Sequence, residues 1–111
     1  MEASLEHTND PRLAEAVRRL VDAYDPLRVY LFGSVARGDA DADSDYDLLL
    51  IVPDEAPESR RRGRLAYQVL WETGIAADVV VWTHDRFERR ARVAASLPAT
   101  VLREGKLLHA A

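Results

Sequence analysis

GSVARG at residues 33–38 and SDYDLLLIV at residues 44–52 are the two segments that decide the fold of this sequence. The first follows RVYLF at residues 28–32, whose branched and aromatic side chains predict a buried strand. Gly33 permits a positive φ and a close approach of a ligand to the backbone, and the residues after it predict one helical turn. A strand, a glycine turn and a helix N-terminus form a recurrent phosphate-binding arrangement, so this segment predicts a phosphate site.

The second segment predicts a strand at residues 45–52 that carries two acids. Because side chains alternate along a strand, Asp45 and Asp47 are expected on the same face. Two carboxylates on an otherwise apolar strand are unfavourable unless something pairs with them. Their Cβ atoms would lie about 7 Å apart, which suits two cations about 3.5–4 Å apart, as in two-metal phosphoryl transfer. Ligation by oxygen alone favours Mg²⁺ or Mn²⁺.

Other interpretations of these residues fit less well. Gly33 and Gly38 have the spacing of a P-loop, but residues 39 and 40 are Asp and Ala where that motif needs Lys and Ser or Thr. A calcium loop needs Gly at its sixth position and Glu at its twelfth, and neither register of the alternating acids supplies them. The acids within residues 39–43 are therefore expected to be solvated surface residues.

Together, the motifs resemble the DNA polymerase beta-type nucleotidyltransferase superfamily, and its minimal, single-domain branch most closely. That branch shows Gly-Ser-x-Ala-Arg-Gly, then Ser-Asp-x-Asp-Leu, then a third Asp on a later strand. Residues 33–38 and 44–48 match the first two patterns, and Asp78, in a strand predicted at residues 77–82, is similar to the third acid. The resemblance covers nearly the whole chain, including LREGKLL at residues 102–108.

The resemblance implies transfer of AMP from ATP to a hydroxyl acceptor with two Mg²⁺ ions. It gives the three acids the catalytic and metal-binding roles, with the last also activating the acceptor hydroxyl. It places the β- and γ-phosphates at the glycine turn, and leaves the arginine there to contact phosphate or to pin the loop. The residues concerned are Asp45, Asp47 and Asp78 for the acids, Gly33 and Ser34 for the phosphates, and Arg37 for the arginine.

Other assignments of the third acid are weaker. Asp78 can also be a polar residue at the edge of a strand. Glu72 lies near a predicted helix end, and Asp85 is expected to be a helix cap.

The minimal branch is commonly the antitoxin of a toxin–antitoxin pair whose partner is a helical HEPN-type ribonuclease. In that setting the resemblance implies a hetero-oligomer and transfer of AMP to a tyrosine hydroxyl of the toxin. The alternative is a non-catalytic binding module that neutralises its partner by occlusion. Transfer to a small molecule such as an aminoglycoside ranks last, because known relatives of that kind tend to be longer.

Length and composition restrict the class of protein. The 111 residues are expected to form one domain spanning residues 1–111, and the absence of cysteine excludes disulfides and thiolate metal sites. The N-terminus shows no signal peptide, and no apolar stretch approaches the roughly 20 residues of a membrane helix. We therefore expect a cytoplasmic protein. The net charge of −4 argues against tight, sequence-independent binding of nucleic acid.

The run RRRGR at residues 60–64 is the one basic cluster. It is interpreted either as the solvated start of a helix or as a patch for an acidic partner or nucleic acid. Trp71, Trp82 and Tyr67 are expected to be core or interface aromatics. The three histidines show no ligand spacing.

The layout predicts an α/β (α+β) fold with a small mixed sheet and helices packed mainly on one face. Asp10 is expected to cap the first helix, and Pro11 suits its first turn. The predicted elements are a helix at 11–24, strands at 28–32 and 45–52, a helix at 58–73, a strand at 77–82, helices at 85–95 and 97–105, and a short strand at 106–109.

Overall fold

The computed structural model describes residues 10–38 and 45–111. Ser44 of the sequence motif and the acids within residues 39–43 lie outside the described residues. The helices and strands, in chain order, are α1 (Pro11–Tyr24), β1 (Arg28–Phe32), α2 (Gly33–Arg37), β2 (Tyr46–Val52), α3 (Arg64–Leu70), β3 (Ala77–Thr83), α4 (His84–Ala91), α5 (Leu97–Glu104) and β4 (Lys106–Ala110), with a 3₁₀ turn at Glu58–Arg61.

The described residues form a four-stranded mixed sheet in the order β3-β2-β1-β4. β1 pairs antiparallel with both β2 and β4, whereas β2 and β3 run parallel. β2 and β1 are therefore central, and β3 and β4 form the two edges. The predicted small mixed sheet is confirmed, with each strand within one residue of its expected bounds.

Both faces of the sheet carry a packed core. Leu48, Leu50 and Val52 lie in the larger core, beneath α1 and α3. Leu49 and Ile51 point to the other face, into a smaller core with Phe87 of α4 and Val101 of α5. The prediction that helices pack mainly on one face is thus refined: β2 is apolar at every position from 48 to 52, so each face needs a helical layer to exclude water.

Helix α1 follows its sequence signals closely. Asp10 is the N-cap, and its Oδ1 accepts a 2.8 Å hydrogen bond from the Arg12 backbone N–H. The helix ends at Tyr24, and the C-cap residue Asp25 adopts a left-handed conformation with φ of 49°. The apolar stripe is buried against the sheet, and its buried members are Leu13, Ala16, Val17, Leu20 and Tyr24.

The single helix predicted at 58–73 is wrong. A 3₁₀ turn comes first, and α3 begins only after Gly63. A Cβ on Gly63 would lie 3.0 Å from the carbonyl oxygen of Val79, so the chain passes tightly beside β3 at this point. The hydroxyl of Tyr24 accepts a 2.9 Å hydrogen bond from the backbone N–H of Ala66 in the first turn of α3. These two contacts fix the break between the turn and the helix.

The helix predicted at 85–95 is also shorter than expected. Thr83, not Asp85, is the N-cap of α4, and the helix ends at Ala91. Ser96 separates α4 from α5. Its Oγ donates a hydrogen bond to the carbonyl of Arg90 near the end of α4, and it accepts one from the backbone N–H of Ala99 in the first turn of α5. Helix α5 and strand β4 agree with the predictions. None of the described helices is long and apolar enough to cross a membrane.

Candidate active site

The glycine turn between β1 and α2 is built around a neighbouring carboxylate. Gly33 has a φ of 77°, and α2 begins at this residue directly after β1. A Cβ at Gly33 would overlap Oδ2 of Asp47 and lie 3.1 Å from its Cγ. The missing side chain therefore makes room for the Asp47 carboxylate, a function of this glycine that the local sequence does not reveal.

Asp47 lies at the junction of three strands. Across β1 it is opposite Phe32, the residue before the glycine turn, and across β3 it is opposite Asp78. Residues directly opposite each other on neighbouring strands point to the same face of the sheet. The fold therefore brings together the predicted phosphate turn and two of the three predicted acids, which are far apart in sequence.

The electrostatics of this junction favour a bound cation. Burial raises the pKa of Asp47, and the carboxylates of Asp78 and Asp45 raise it further. The positive charge of Arg37 acts in the opposite direction and lowers the same pKa. A cluster of like charges in partly buried surroundings is relieved by a cation, and its donors are all oxygens, the type that Mg²⁺ and Mn²⁺ prefer.

Asp45 lies just outside β2, which begins at Tyr46 rather than at the predicted residue 45. Its side chain is exposed, and its charge is felt at Asp47. Tyr46 points to the other face, where its hydroxyl donates a 3.2 Å hydrogen bond to Oδ2 of Asp10. This bond ties the start of β2 to the N-terminus of α1.

The three predicted acids lie in the same region of the sheet but do not form a complete metal site. Across residues 10–38 and 45–111, no three acidic or histidine side chains converge closely enough to hold a metal ion as they stand. Asp45 and Asp78 are exposed, so a cation can approach between them and the half-buried Asp47. The donor chemistry thus fits a divalent cation, while the arrangement is open.

On the phosphate side, the N-terminus of α2 has no side-chain cap, and Ser34 is half-buried in its first turn. Arg37, in the last turn, lies 3.9 Å from the carboxylate of Glu104 at the end of α5. The positive charge of Arg37 is also close enough to lower the pKa of Asp47. Glu104 was not predicted, because its link to Arg37 spans 67 positions of sequence.

The two weaker acids do not join this site. Asp85 lies beyond the opposite end of β3 from Asp78, where its side chain pairs with Arg89 at 2.9 Å. Its backbone N–H donates to Asp54, which stabilises the start of α4. Glu72 is exposed in the turn after α3.

Comparison with known folds agrees with this architecture. A structure of a candidate nucleotidyltransferase from Sulfolobus solfataricus is 20% identical, with a TM-score of 0.58, over 97% of this chain and 87% of that chain. A structure of a toxin–antitoxin with AMP-PNP is 23% identical, with a TM-score of 0.57, over 87% of this chain and 73% of that chain. At these identities the likeness establishes a shared fold.

No curated protein matches the chain significantly. The family model for the nucleotidyltransferase domain matches residues 11–107, which include the glycine turn and all three acids. This match spans most of the sequence, and the chain therefore belongs to the nucleotidyltransferase domain family.

Proposed function

We propose that this protein transfers AMP from ATP to a hydroxyl acceptor, with divalent cations held by the acids of the sheet. One observation carries the proposal: the strand register sets Asp47 between the glycine turn after β1 and Asp78 on β3. A helix N-terminus suits a polyphosphate, and neighbouring carboxylates suit its cations. The family match to a nucleotidyltransferase domain supports the same class of reaction.

The transfer forms one bond and breaks one. The acceptor oxygen attacks the α-phosphorus of ATP, the bond from that phosphorus to the bridging oxygen breaks, and pyrophosphate leaves with the electron pair. The hydroxyl proton passes to a carboxylate. Asp78 is our candidate for this base, because it is exposed on an edge strand where an acceptor can approach.

The other residues position the nucleotide. Gly33 and Ser34 would hold the β- and γ-phosphates at the start of α2, and Arg37, which lies 3.9 Å from Glu104, would contact phosphate or hold the loop. Asp45, Asp47 and Asp78 would hold two Mg²⁺ or Mn²⁺ ions, which would supply charge stabilisation for the transfer. The residues themselves contribute chiefly by orientation, which removes much of the entropic barrier to a two-substrate reaction.

The acceptor we propose is a tyrosine hydroxyl of a HEPN-type toxin, with this chain acting as its cytoplasmic antitoxin in a hetero-oligomer. The similarity of fold to a toxin–antitoxin structure solved with AMP-PNP supports both a nucleotide ligand and a protein partner. AMP on such a tyrosine adds bulk and negative charge, which is a direct way to silence the toxin.

A non-catalytic antitoxin is the second candidate, and one observation favours it. The described residues contain no ready-made three-ligand metal site, as expected for a chain that neutralises its partner by occlusion alone. The two candidates differ in whether Asp47 is needed for protection against the toxin.

The test is the intact mass of the HEPN-type protein of the proposed pair after incubation with this chain, ATP and Mg²⁺. We expect the mass of one or more AMP units to be added by the wild type and not by Asp47→Asn. Asp22→Asn, which removes an exposed charge on α1, is the matched control and should modify the partner at the wild-type rate.

Equal modification by wild type and Asp47→Asn would overturn the assignment of the site. A tight complex of the two proteins with no added mass, and equal protection of cells by Asp47→Asn, would instead establish the occluding module.

A further inference from the structure

On the face of the sheet that carries the acids, strand β3 continues from Asp78 with two apolar residues. Because side chains alternate along a strand, Val80 and Trp82 share the face of Asp78, about 7 Å and 13 Å further along. Both pack against the smaller core, which also contains Leu49, the residue opposite Val80 on β2. Asp78, Val80 and Trp82 therefore form a row that starts at the candidate active site.

The helices that cover this face of the sheet leave the row partly exposed. Leu49 and Ile51 of β2 are fully buried in the smaller core with residues of α4 and α5. The residues opposite them on β3, Val80 and Trp82, are only partly buried. Within the described part of the chain, β3 is the outermost strand on this side of the sheet. The row is therefore an apolar surface that a second molecule can reach.

The ring of Trp82 is held in place by a neighbouring cation. The guanidinium carbon of Arg86, in the first turn of α4, lies 4.5 Å from the centre of the indole ring. A cation over an aromatic ring is attracted to it at this distance. A side chain that is restricted before binding loses little conformational freedom when a partner packs against it. The position of Trp82 is thus suited to a contact surface.

The order of the strands determines the direction from which an acceptor arrives. Across the sheet, the glycine turn follows β1, Asp47 lies on β2, and Asp78 lies on β3. With the β- and γ-phosphates at the turn, as proposed above, pyrophosphate leaves on the side of β1. The attacking and leaving oxygens are roughly in line at phosphorus. The acceptor oxygen therefore approaches from the side of β3.

From this geometry we infer that Val80 and Trp82 position the acceptor. The side chain that carries the hydroxyl packs on Val80, and the adjoining surface of the partner protein packs on Trp82. The inference rests on the proposed function and adds the residues that orient its second substrate. Because the two positioning residues are apolar, the matching part of the partner is apolar or aromatic rather than charged.

The opposite face of the same strand supplies matched control positions. Val79 and Val81 alternate with Val80, pack against the larger core and are also partly buried. Trp71 is 85% exposed and borders a groove with Val79, so it lies on that side as well. A role in acceptor positioning therefore predicts effects at Val80 and Trp82 that are absent at Val81 and Trp71.

The test measures initial rates of AMP transfer at varied concentrations of the HEPN-type protein of the proposed pair. We expect Trp82→Ala to raise the KM for this partner about tenfold or more, and Val80→Ala to raise it about fivefold. The value of kcat should not change, since contacts that are equal in the ground state and the transition state affect binding alone. Val81→Ala and Trp71→Ala are the matched controls and should keep the wild-type KM.

Two further measurements distinguish positioning from a loss of structure. Trp82→Phe keeps an aromatic ring and should recover most of the loss in KM. All variants should bind AMP-PNP with Mg²⁺ at the wild-type Kd, which an unfolded chain would not. Weaker binding of AMP-PNP by Trp82→Ala, with an unchanged KM for the partner, would assign the indole ring to the nucleotide and overturn the inference.

Failure of the inference and failure of the proposed function give different results. If AMP is transferred and Val80→Ala and Trp82→Ala keep the wild-type KM, or the control variants raise it equally, the positioning role is overturned and the proposed function stands. If the wild type transfers no AMP, the proposed function fails. Calorimetry with the partner then decides: a Kd raised by Trp82→Ala but not by Trp71→Ala retains the contact surface, and equal Kd values overturn it.

Discussion

Strand β2 contains two regions with opposite surroundings. At its start, Asp47 is half-buried beside other carboxylates, and its pKa is raised by burial and by their charge. From Leu48 to Val52 every side chain is fully buried, alternately in the two cores. The first region is electrostatically unfavourable and the second supplies apolar burial on both faces. The buried part of the strand therefore holds in place a site that does not stabilise itself.

The sharpest way to test this difference is to remove the charge of Asp47. Asp47→Asn should reduce AMP transfer about 1,000-fold, because cation ligation provides several kcal/mol of transition-state stabilisation. Its free energy of unfolding at neutral pH should equal or exceed that of the wild type, since an unfavourable charge has been removed. Initial rates and urea denaturation check the two parts. Loss of stability together with activity would contradict the separation of the two regions.

The buried part of β2 should respond in the opposite way. Leu50→Ala should lower the free energy of unfolding by about 2–5 kcal/mol, because it leaves a cavity in the larger core. The fraction that remains folded should still bind AMP-PNP. Leu102→Ala, at a half-exposed position on α5, is the control and should change stability by less than about 0.5 kcal/mol. A small effect at Leu50 would show that β2 is not the support of the site.

Gly33 and Gly74 have similar backbones, but only Gly33 lies beside Asp47, so the pair separates backbone strain from an effect on the site. Gly33 and Gly74 have almost the same backbone conformation, with φ of 77° and 72°. Alanine at either position should cost about 1–2 kcal/mol of stability for the left-handed backbone. A Cβ meets Asp47 only at Gly33, and nothing lies within 4 Å at Gly74. Gly33→Ala alone should therefore weaken binding of AMP-PNP, by about tenfold or more, which is 1.4 kcal/mol.

Calorimetry of both glycine variants with Mg²⁺ and AMP-PNP measures this effect. Equal losses of nucleotide affinity in Gly33→Ala and Gly74→Ala would attribute the effect to backbone strain rather than to the Asp47 contact.

The smallest predicted effect is in the pH dependence of stability. The folded-state pKa of Asp47 lies above its ordinary value of 3.8, so the folded state keeps this proton to higher pH than the unfolded state does. Its contribution to stability is therefore present below pH 3.8 and is lost as the pH rises through the folded pKa. Asp47→Asn should thus gain stability relative to the wild type as the pH rises above 3.8.

Glu15 on α1 provides the opposite case. Hydrogen bonds from Arg18 and Arg19 lower the pKa of its carboxyl from 4.5 to about 2. Its contribution is present above pH 4.5 and is lost as the pH falls through the folded pKa, so the deficit of Glu15→Gln should shrink in acid. Urea denaturation of both variants from about pH 3 to about pH 7 measures the two slopes. Slopes of the same sign would contradict the pKa directions.

Local signals predicted much of this molecule. Asp10 and Pro11 marked the start of α1, and the alternation of β2 gave its two faces correctly. The glycine turn was recognisable because its residues are contiguous. The register then places Asp47 directly opposite Asp78.

What the sequence did not predict depends on contacts between distant residues. The helix predicted at 58–73 is interrupted because Gly63 lies tightly against the carbonyl of Val79. In addition, the Tyr24 hydroxyl accepts a hydrogen bond from a backbone N–H in the first turn of α3. Likewise, the pairing of Arg37 with Glu104 and the fit of Gly33 around Asp47 exist only once the sheet has formed. Neither of these two contacts produces a recognisable pattern in the local sequence.

The central claim is that Asp47 joins the phosphate turn to the acids in one metal–nucleotide site. Calorimetric titration of AMP-PNP into the wild-type chain and into Asp47→Asn, each with Mg²⁺ and with EDTA, tests it most directly. We expect saturable binding for the wild type with Mg²⁺ and none in the other three experiments. Equal binding in the presence of EDTA, or by Asp47→Asn, would contradict it.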